Sequence, residues 1–309
     1  MAFIVFNQML VLFILMLTGY LCFKKQYITQ SAIQSLASLV VNVFNPLLII
    51  SGVLETPKEL ASYDLLVIFC IACAMYFFLI IITPLLNQIL RVPNPQRGLY
   101  SLITVFSNVG FIGLPLVVSI YGKQAILYVA VFILIFNILF YTYGVFIIGK
   151  AKGYQRVSLL ENLKRLINPG VLACVLAILL FIFKPPLPNF IRSSISVLGS
   201  TAIPLSMMLV GVALGQKQFK TLFTDLRLYA FAVVRLIIIP IMFIAVLVRF
   251  PISPLVFGVS MIMLAVPVGN MPTLLATEYG IDATVCSDGL IITTILSILT
   301  IPLVAAVFM

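Results

Sequence analysis

The sequence predicts an all-α membrane protein of ten transmembrane helices, arranged as two inverted five-helix repeats. Three observations carry this. The chain of 309 residues is 63% apolar and only 8% charged, with a mean hydropathy of +1.27, too few charges to cover a soluble core of that size. Its irregular positions recur: Asn45-Pro46-Leu47 as Ile203-Pro204-Leu205, Gly113-Leu114-Pro115 as Asn270-Met271-Pro272, and Tyr121-Gly122 as Tyr279-Gly280, each about 158 positions later. Its basic residues, finally, are unevenly shared between the two sets of loops.

Apolar stretches long enough to span at a rise of about 1.5 Å per residue lie roughly at 3–23, 31–53, 63–90, 97–120, 125–149, 166–184, 190–215, 227–249, 254–278 and 284–308. They are continuous rather than alternating, which argues against a barrel. Five spans per copy is an odd number, so the second copy must be inverted. The organisation is a first repeat over 1–149, a cytoplasmic linker over 150–165 and a second repeat over 166–309. In the linker, Ser158-Leu-Leu-Glu161 is a capping-box pattern, followed by apolar and basic residues that suit a short helix on the inner membrane surface.

Loops after the odd-numbered helices hold Lys24, Lys25, Arg91, Arg97, Lys150, Lys152, Arg156, Lys164, Arg165, Lys217, Lys220 and Arg227, and the opposite loops only Lys58, Lys123, Lys184, Arg192 and Arg249. Twelve against five places the first set in the cytoplasm of a cell-membrane protein, with both termini outside. The net charge of +10 is then topological bias plus attraction to anionic lipid, and no soluble basic face for nucleic acid exists. The N-terminus lacks a basic n-region and a small-residue cleavage site, so the first helix is expected to stay as an ordinary span. The five cysteines read as small buried hydrophobes within spans: there is no histidine, and Cys70 with Cys73 would supply half a zinc site at best. No metal or cofactor is expected.

Chemistry concentrates at two places. The fourth span reads Ser107-Asn108-Val-Gly110-Phe-Ile-Gly113-Leu-Pro115, and the ninth reads Pro267-Val-Gly269-Asn270-Met-Pro272. Proline removes an amide donor inside a helix and glycine lets the backbone leave helical geometry cheaply, so both helices should be interrupted at mid-membrane. Such breaks persist only where they are buried in protein or line a polar cavity. Each half-helix starting after a break aims amide hydrogens and a partial positive charge at that cavity, an anion site without lysine or arginine. Asn108 and Asn270 add amide donors there; alternatively they satisfy carbonyls freed by the prolines. Matched breaks in inverted repeats mark a secondary transporter with its site near the midplane. Asn45 in the second span either packs or faces the substrate path. Arg235, some eight residues into the eighth span, is placed within snorkelling distance of the cytoplasmic surface, as an anchor or a substrate contact. Asp288 is the deepest carboxylate and a weak proton-carrier candidate. Without histidine, paired intramembrane aspartates or a phosphate-binding loop, an enzyme is not expected.

The run from Asn108 through Gly113-Leu-Pro115-Leu116 to Tyr121-Gly122, and that from Pro267 through Pro272 to Glu278-Tyr279-Gly280, resemble the fourth and ninth helices of the auxin efflux carrier family. Asn45-Pro46-Leu47-Leu48 and Asn168-Pro169 are similar to family features as well. The resemblance covers essentially the whole chain and lacks the long central hydrophilic loop of the plant carriers. It implies that helices 1, 2, 6 and 7 form a scaffold that often dimerises, and that helices 3–5 and 8–10 form a mobile domain. Helices 4 and 9 would cross at their breaks to hold a small organic anion such as malate or malonate, with Asn108, Gly113, Pro115, Pro267, Gly269, Asn270 and Pro272 at the crossover. Two other readings stay open: a sodium-coupled carrier of a larger amphipathic anion, and a receptor that binds its ligand without carrying it.

Overall fold

A computed structural model describes residues 2–54, 62–151, 167–183, 186–216 and 225–308. Among the described residues all regular elements are helical. In chain order they are α1 (Phe3–Lys24), α2 (Gln30–Leu54) and α3 (Tyr63–Ile89), then two short pieces, α4 (Arg97–Val105) and α5 (Val109–Tyr121). Next come α6 (Lys123–Ala151), α7 (Pro169–Phe183), α8 (Asn189–Gln216) and α9 (Leu226–Leu247), again two short pieces, α10 (Pro254–Ala265) and α11 (Met271–Glu278), and lastly α12 (Thr284–Phe308). Seven of the described helices are long and apolar enough to cross a membrane: α1, α2, α3, α6, α8, α9 and α12.

Helix ends follow local chemistry. Asp225 caps α9 by accepting from the Arg227 and Leu228 amides at 3.0 and 3.3 Å, and Ser253 caps α10 by accepting from the Val256 amide. Asn168 Oδ1 accepts from the Val171 amide at 3.0 Å, so α7 begins at Pro169, a few residues inside the interval drawn from hydropathy. The linker assigned to 150–165 starts within α6, which runs to Ala151; its capping-box segment lies outside the described residues, as do Lys58, Lys152, Arg156, Lys164, Arg165, Lys184, Lys217 and Lys220.

The outer surface is apolar, as lipid as solvent requires: Leu66, Phe77 and Ile81 on α3 and Leu299 and Leu303 on α12 are exposed. Cys70 and Cys73 also face outward from α3, which corrects their reading as buried: in lipid, an outward thiol costs no more than a methyl group. Among the described residues no three His, Cys, Asp or Glu side chains cluster as metal ligands would.

Two groups of helices pack closely. α2 lies against α7 and the first half of α8, and α1 lies along the second half of α8. The α1–α8 contact is backbone to backbone. A Cβ on Gly211 would overlap the Met16 carbonyl oxygen, and one on Gly19 would overlap that of Met208; only glycine lets membrane helices approach so closely. In the second group α4 packs on α3, α6 and α12, while α10 packs on α3 and α12. Gly211→Val should therefore force α1 and α8 apart, costing about 2 kcal/mol or more. Gly110→Ala, whose new methyl meets nothing within 4 Å, should stay within about 0.5 kcal/mol of the parent. Thermal unfolding in detergent of both variants checks the pair; an undisturbed melting temperature in Gly211→Val would refute the backbone seam.

Candidate substrate site at the crossing of two broken helices

The interruption between α10 and α11 is local in origin. Pro267 disfavours helical geometry at the residue before it, and Val266 is extended (φ −63°, ψ 149°). Between α4 and α5 there is no such proline. Phe106 is extended (φ −99°, ψ 91°), its ring held edge-on by Phe136 and Phe140 of α6 at centroid distances of 5.4 and 5.0 Å. Pro115 does not make this break. It lies inside α5, just after a wide turn over Val109–Gly113 in which the Gly113 amide reaches back to Asn108 O at 2.9 Å. That wide turn absorbs the missing proline amide and lets the helix continue, correcting the assignment of Pro115 as a helix breaker. Pro272 likewise sits in the first turn of α11, where a missing amide costs nothing.

The two breaks pair with each other. Ser107 and Val268 form an antiparallel bridge, flanked by hydrogen bonds from the Asn108 amide to Pro267 O (2.8 Å) and from the Gly269 amide to Phe106 O (3.0 Å). Gly269 suits this approach, since a Cβ there would lie 3.0 Å from Ser107 O and 3.3 Å from Phe106 O, tighter than ordinary contact. The Val268 amide, left over by the bridge, donates to Thr293 Oγ1 of α12 at 3.1 Å, and that hydroxyl donates to Gly289 O at 2.6 Å. Beyond the bridge α11 packs beside α4, and α5 beside α10, so the four pieces form an X.

Arg235 holds the X from one side. It lies in a wide helical turn of α9 (Val234–Ile238) and is 0% exposed. Its Nε donates to Thr104 O and its Nη1 to Leu264 O, both at 2.9 Å, and its Nη2 donates to the Ser107 hydroxyl. Thr104 and Leu264 belong to the last turns of α4 and α10, so one guanidinium serves carbonyls at both C-termini and meets the negative ends of both helix dipoles. The expectation that Arg235 snorkels is thereby corrected: its planar fork matches carbonyls freed by the breaks.

The opposite, N-terminal ends of the half-helices open on a cavity of about 180 Å³. From the X it receives Asn108, Phe111 and Asn270; from α8, Leu209, Val210, Ala213, Leu214 and Gln216; from α2, Ile33 and Ala37; from α12, Leu290, Ile291 and Thr294. Asn108 is buried and caps α5, its Oδ1 accepting from the Phe111 amide at 3.0 Å, which leaves the side-chain NH2 as a donor. Asn270 precedes α11, is exposed and makes no capping bond with its side chain. No lining residue is acidic. Each asparagine thus stands beside the positive end of a helix.

The remaining predicted residues fall into two sets. Gly110, Gly113, Pro115, Pro267, Gly269 and Pro272 shape the X without lining the cavity; Gly113, for example, packs against Met263 of α10. Asn45 is half-buried in α2 and Asp288 half-buried in α12, both outside the lining. Sequence reasoning passed over Thr293 and Thr294, adjacent hydroxyls near the middle of α12, a signal that was there to read.

Arg235→Lys keeps the charge but cannot serve three acceptors in the plane of the fork. It should cost at least about 2 kcal/mol of stability, read as a lower unfolding temperature in detergent, and Arg235→Met should be worse. Parent-like stability in both would mean that the breaks hold together without the guanidinium.

Comparison with known proteins agrees with the architecture. The sequence profile described as membrane transport protein matches residues 4–305. The chain is also similar to an uncharacterized transporter of Methanocaldococcus jannaschii, with 25% identity over 308 residues and 96% of each chain covered. A match over nearly the whole length, joined to paired helix breaks in a lipid-facing helical body, places this chain in the membrane transport protein family, that of the auxin efflux carriers.

Proposed function

We propose that this protein is a secondary carrier of a small organic anion, a carboxylate such as malate or malonate rather than auxin, working by elevator-type alternating access. The observation that carries the reading is the cavity where the N-termini of α5 and α11 meet beside Asn108 and Asn270, with no acidic side chain in its wall. A carboxylate there gains helix-end potential and charge-assisted amide hydrogen bonds, and a cation gains neither. An anion is also favoured by Arg235, a buried positive charge held against the same breaks.

In this reading the chain spans the cell membrane ten times, the broken pairs α4–α5 and α10–α11 each counting as one span, in two inverted repeats with both termini outside. α1, α2, α7 and α8 form the scaffold, supported by the glycine seam between α1 and α8. The remaining helices, with the X at their centre, move as a unit carrying the anion. The scaffold wall it moves past is apolar at Leu209, Val210, Ala213 and Leu214, which suits sliding contact; elsewhere Lys123 Nζ of α6 donates to the Ser196 hydroxyl of α8 at 2.7 Å, a bond the movement must break. The scaffold also offers the surface for a homodimer within anionic lipid, and coupling runs to a proton gradient or to the substrate's own gradient.

Asn270→Ala should weaken carboxylate binding about tenfold or more while leaving the unfolding temperature unchanged, because its side chain caps nothing in the empty protein. Pro115→Ala should have little effect on turnover, since the wide turn and not a break accommodates the proline. The deciding experiment is uptake and charge movement in proteoliposomes, challenged with malate, malonate, lactate, citrate and indole-3-acetate under imposed pH and sodium gradients. Saturable flux of one carboxylate, reduced in Asn270→Ala, supports the proposal. Flux that requires sodium would replace it with a sodium-coupled carrier, and saturable binding without flux would replace it with a receptor.

A further inference from the structure

Thr294 is an oddity of the cavity wall. It is 1% exposed, it lines the cavity, and its Oγ1 has no hydrogen-bond partner. Threonine on a helix ordinarily donates back to a carbonyl one turn earlier, which for Thr294 is that of Leu290. Thr293 makes the ordinary bond, donating to Gly289 O at 2.6 Å with Leu290 O a longer alternative at 3.3 Å, and accepts from the Val268 amide of the bridge; Thr294 makes neither kind of bond. The neighbouring hydroxyl, one residue on in the cavity wall, is thus left buried with neither its proton nor its lone pairs used. A buried polar group left unpaired is costly, and native structures keep one where something else completes it.

We infer that Thr294 is a specificity-determining residue of the anion site, pairing with a hydroxyl carried by the substrate beside its carboxylate. The substrate class is accordingly a hydroxycarboxylate, and this rests on the anion-carrier reading above. The carboxylate takes the helix ends with Asn108 and Asn270, and the ligand hydroxyl, which both donates and accepts from one small atom, satisfies either role of Thr294 Oγ1. Discrimination comes from the failure of the wrong ligand: an analogue lacking the hydroxyl enters the same cavity but leaves a desolvated group unpaired, and sites built on that principle reject such analogues strongly.

The test uses the purified full chain and two ligand pairs differing by one hydroxyl, malate against succinate and lactate against propionate, with binding measured calorimetrically. The parent should prefer the hydroxylated member of at least one pair by about tenfold or more. Thr294→Val, of nearly the same shape, should lose that preference through weaker binding of the hydroxylated ligand alone, and Thr294→Ser should restore it. The empty Thr294→Val protein should unfold at the parent temperature or above it, since an unpaired buried hydroxyl has been replaced by a methyl; a clear drop would assign Thr294 a structural role instead. Carboxylate binding with no hydroxyl preference in the parent, or a preference that survives Thr294→Val, would overturn this inference and leave the anion site standing. Absence of binding by all four, with malonate or citrate still bound, would overturn this inference alone; absence of binding by malonate and citrate as well would overturn the anion-carrier reading itself, and this inference with it.

Discussion

Everything distinctive in this molecule depends on one constraint: a backbone that leaves helical geometry inside a membrane must find other partners for its amides and carbonyls. Here two such segments find each other. The bridge at Ser107 and Val268 takes two amides and two carbonyls, Thr293 takes a third amide, and Arg235 takes carbonyls of Thr104 and Leu264 at the two helix ends. These groups are mutually dependent. Arg235 alone would be a bare buried charge, and the helix ends alone would be unpaired acceptors; together each removes the cost of the other.

The same arrangement separates the two ends of the X by chemistry. At the C-terminal ends of α4 and α10 the negative dipole ends are covered by a guanidinium. At the N-terminal ends of α5 and α11 the positive ends face a cavity and only neutral amides stand beside them. One polarity is therefore satisfied internally, and the other faces the cavity. In the proposed reading, an anion site made from dipoles and amides, rather than from an arginine, keeps release feasible: the field would orient a carboxylate but adds no full counter-charge at contact distance.

Much of this was legible in the sequence, and the exceptions have specific causes. Pro267 announced its break because proline acts on its immediate neighbour, a local effect that needs no tertiary knowledge. Pro115 looked equivalent and was not, because whether a proline breaks a helix or is absorbed depends on the turn before it, and the wide turn at Val109–Gly113 has no local signature. Arg235 was misplaced for a related reason. Depth along a helix could be counted from the sequence, but its acceptors come from residues more than a hundred positions earlier and some thirty later in the chain. Cys70 and Cys73 turned outward because hydropathy alone does not tell a lipid-facing from a protein-facing apolar side chain in a membrane helix.

The sequence by itself determined that the chain is a lipid-embedded helical body with two matched irregular segments, since hydropathy, proline and glycine act through composition and nearest neighbours. It also singled out Asn108 and Asn270 as the polar groups beside those segments. Only the tertiary structure decided that the two segments pair through Phe106, Pro267 and Gly269, that Arg235 closes one side, and that α2, α8 and α12 wall the cavity on the other. Those are relations between surfaces far apart in the chain, fixed by which backbone groups remain unsatisfied after each helix has formed, and no local pattern records them.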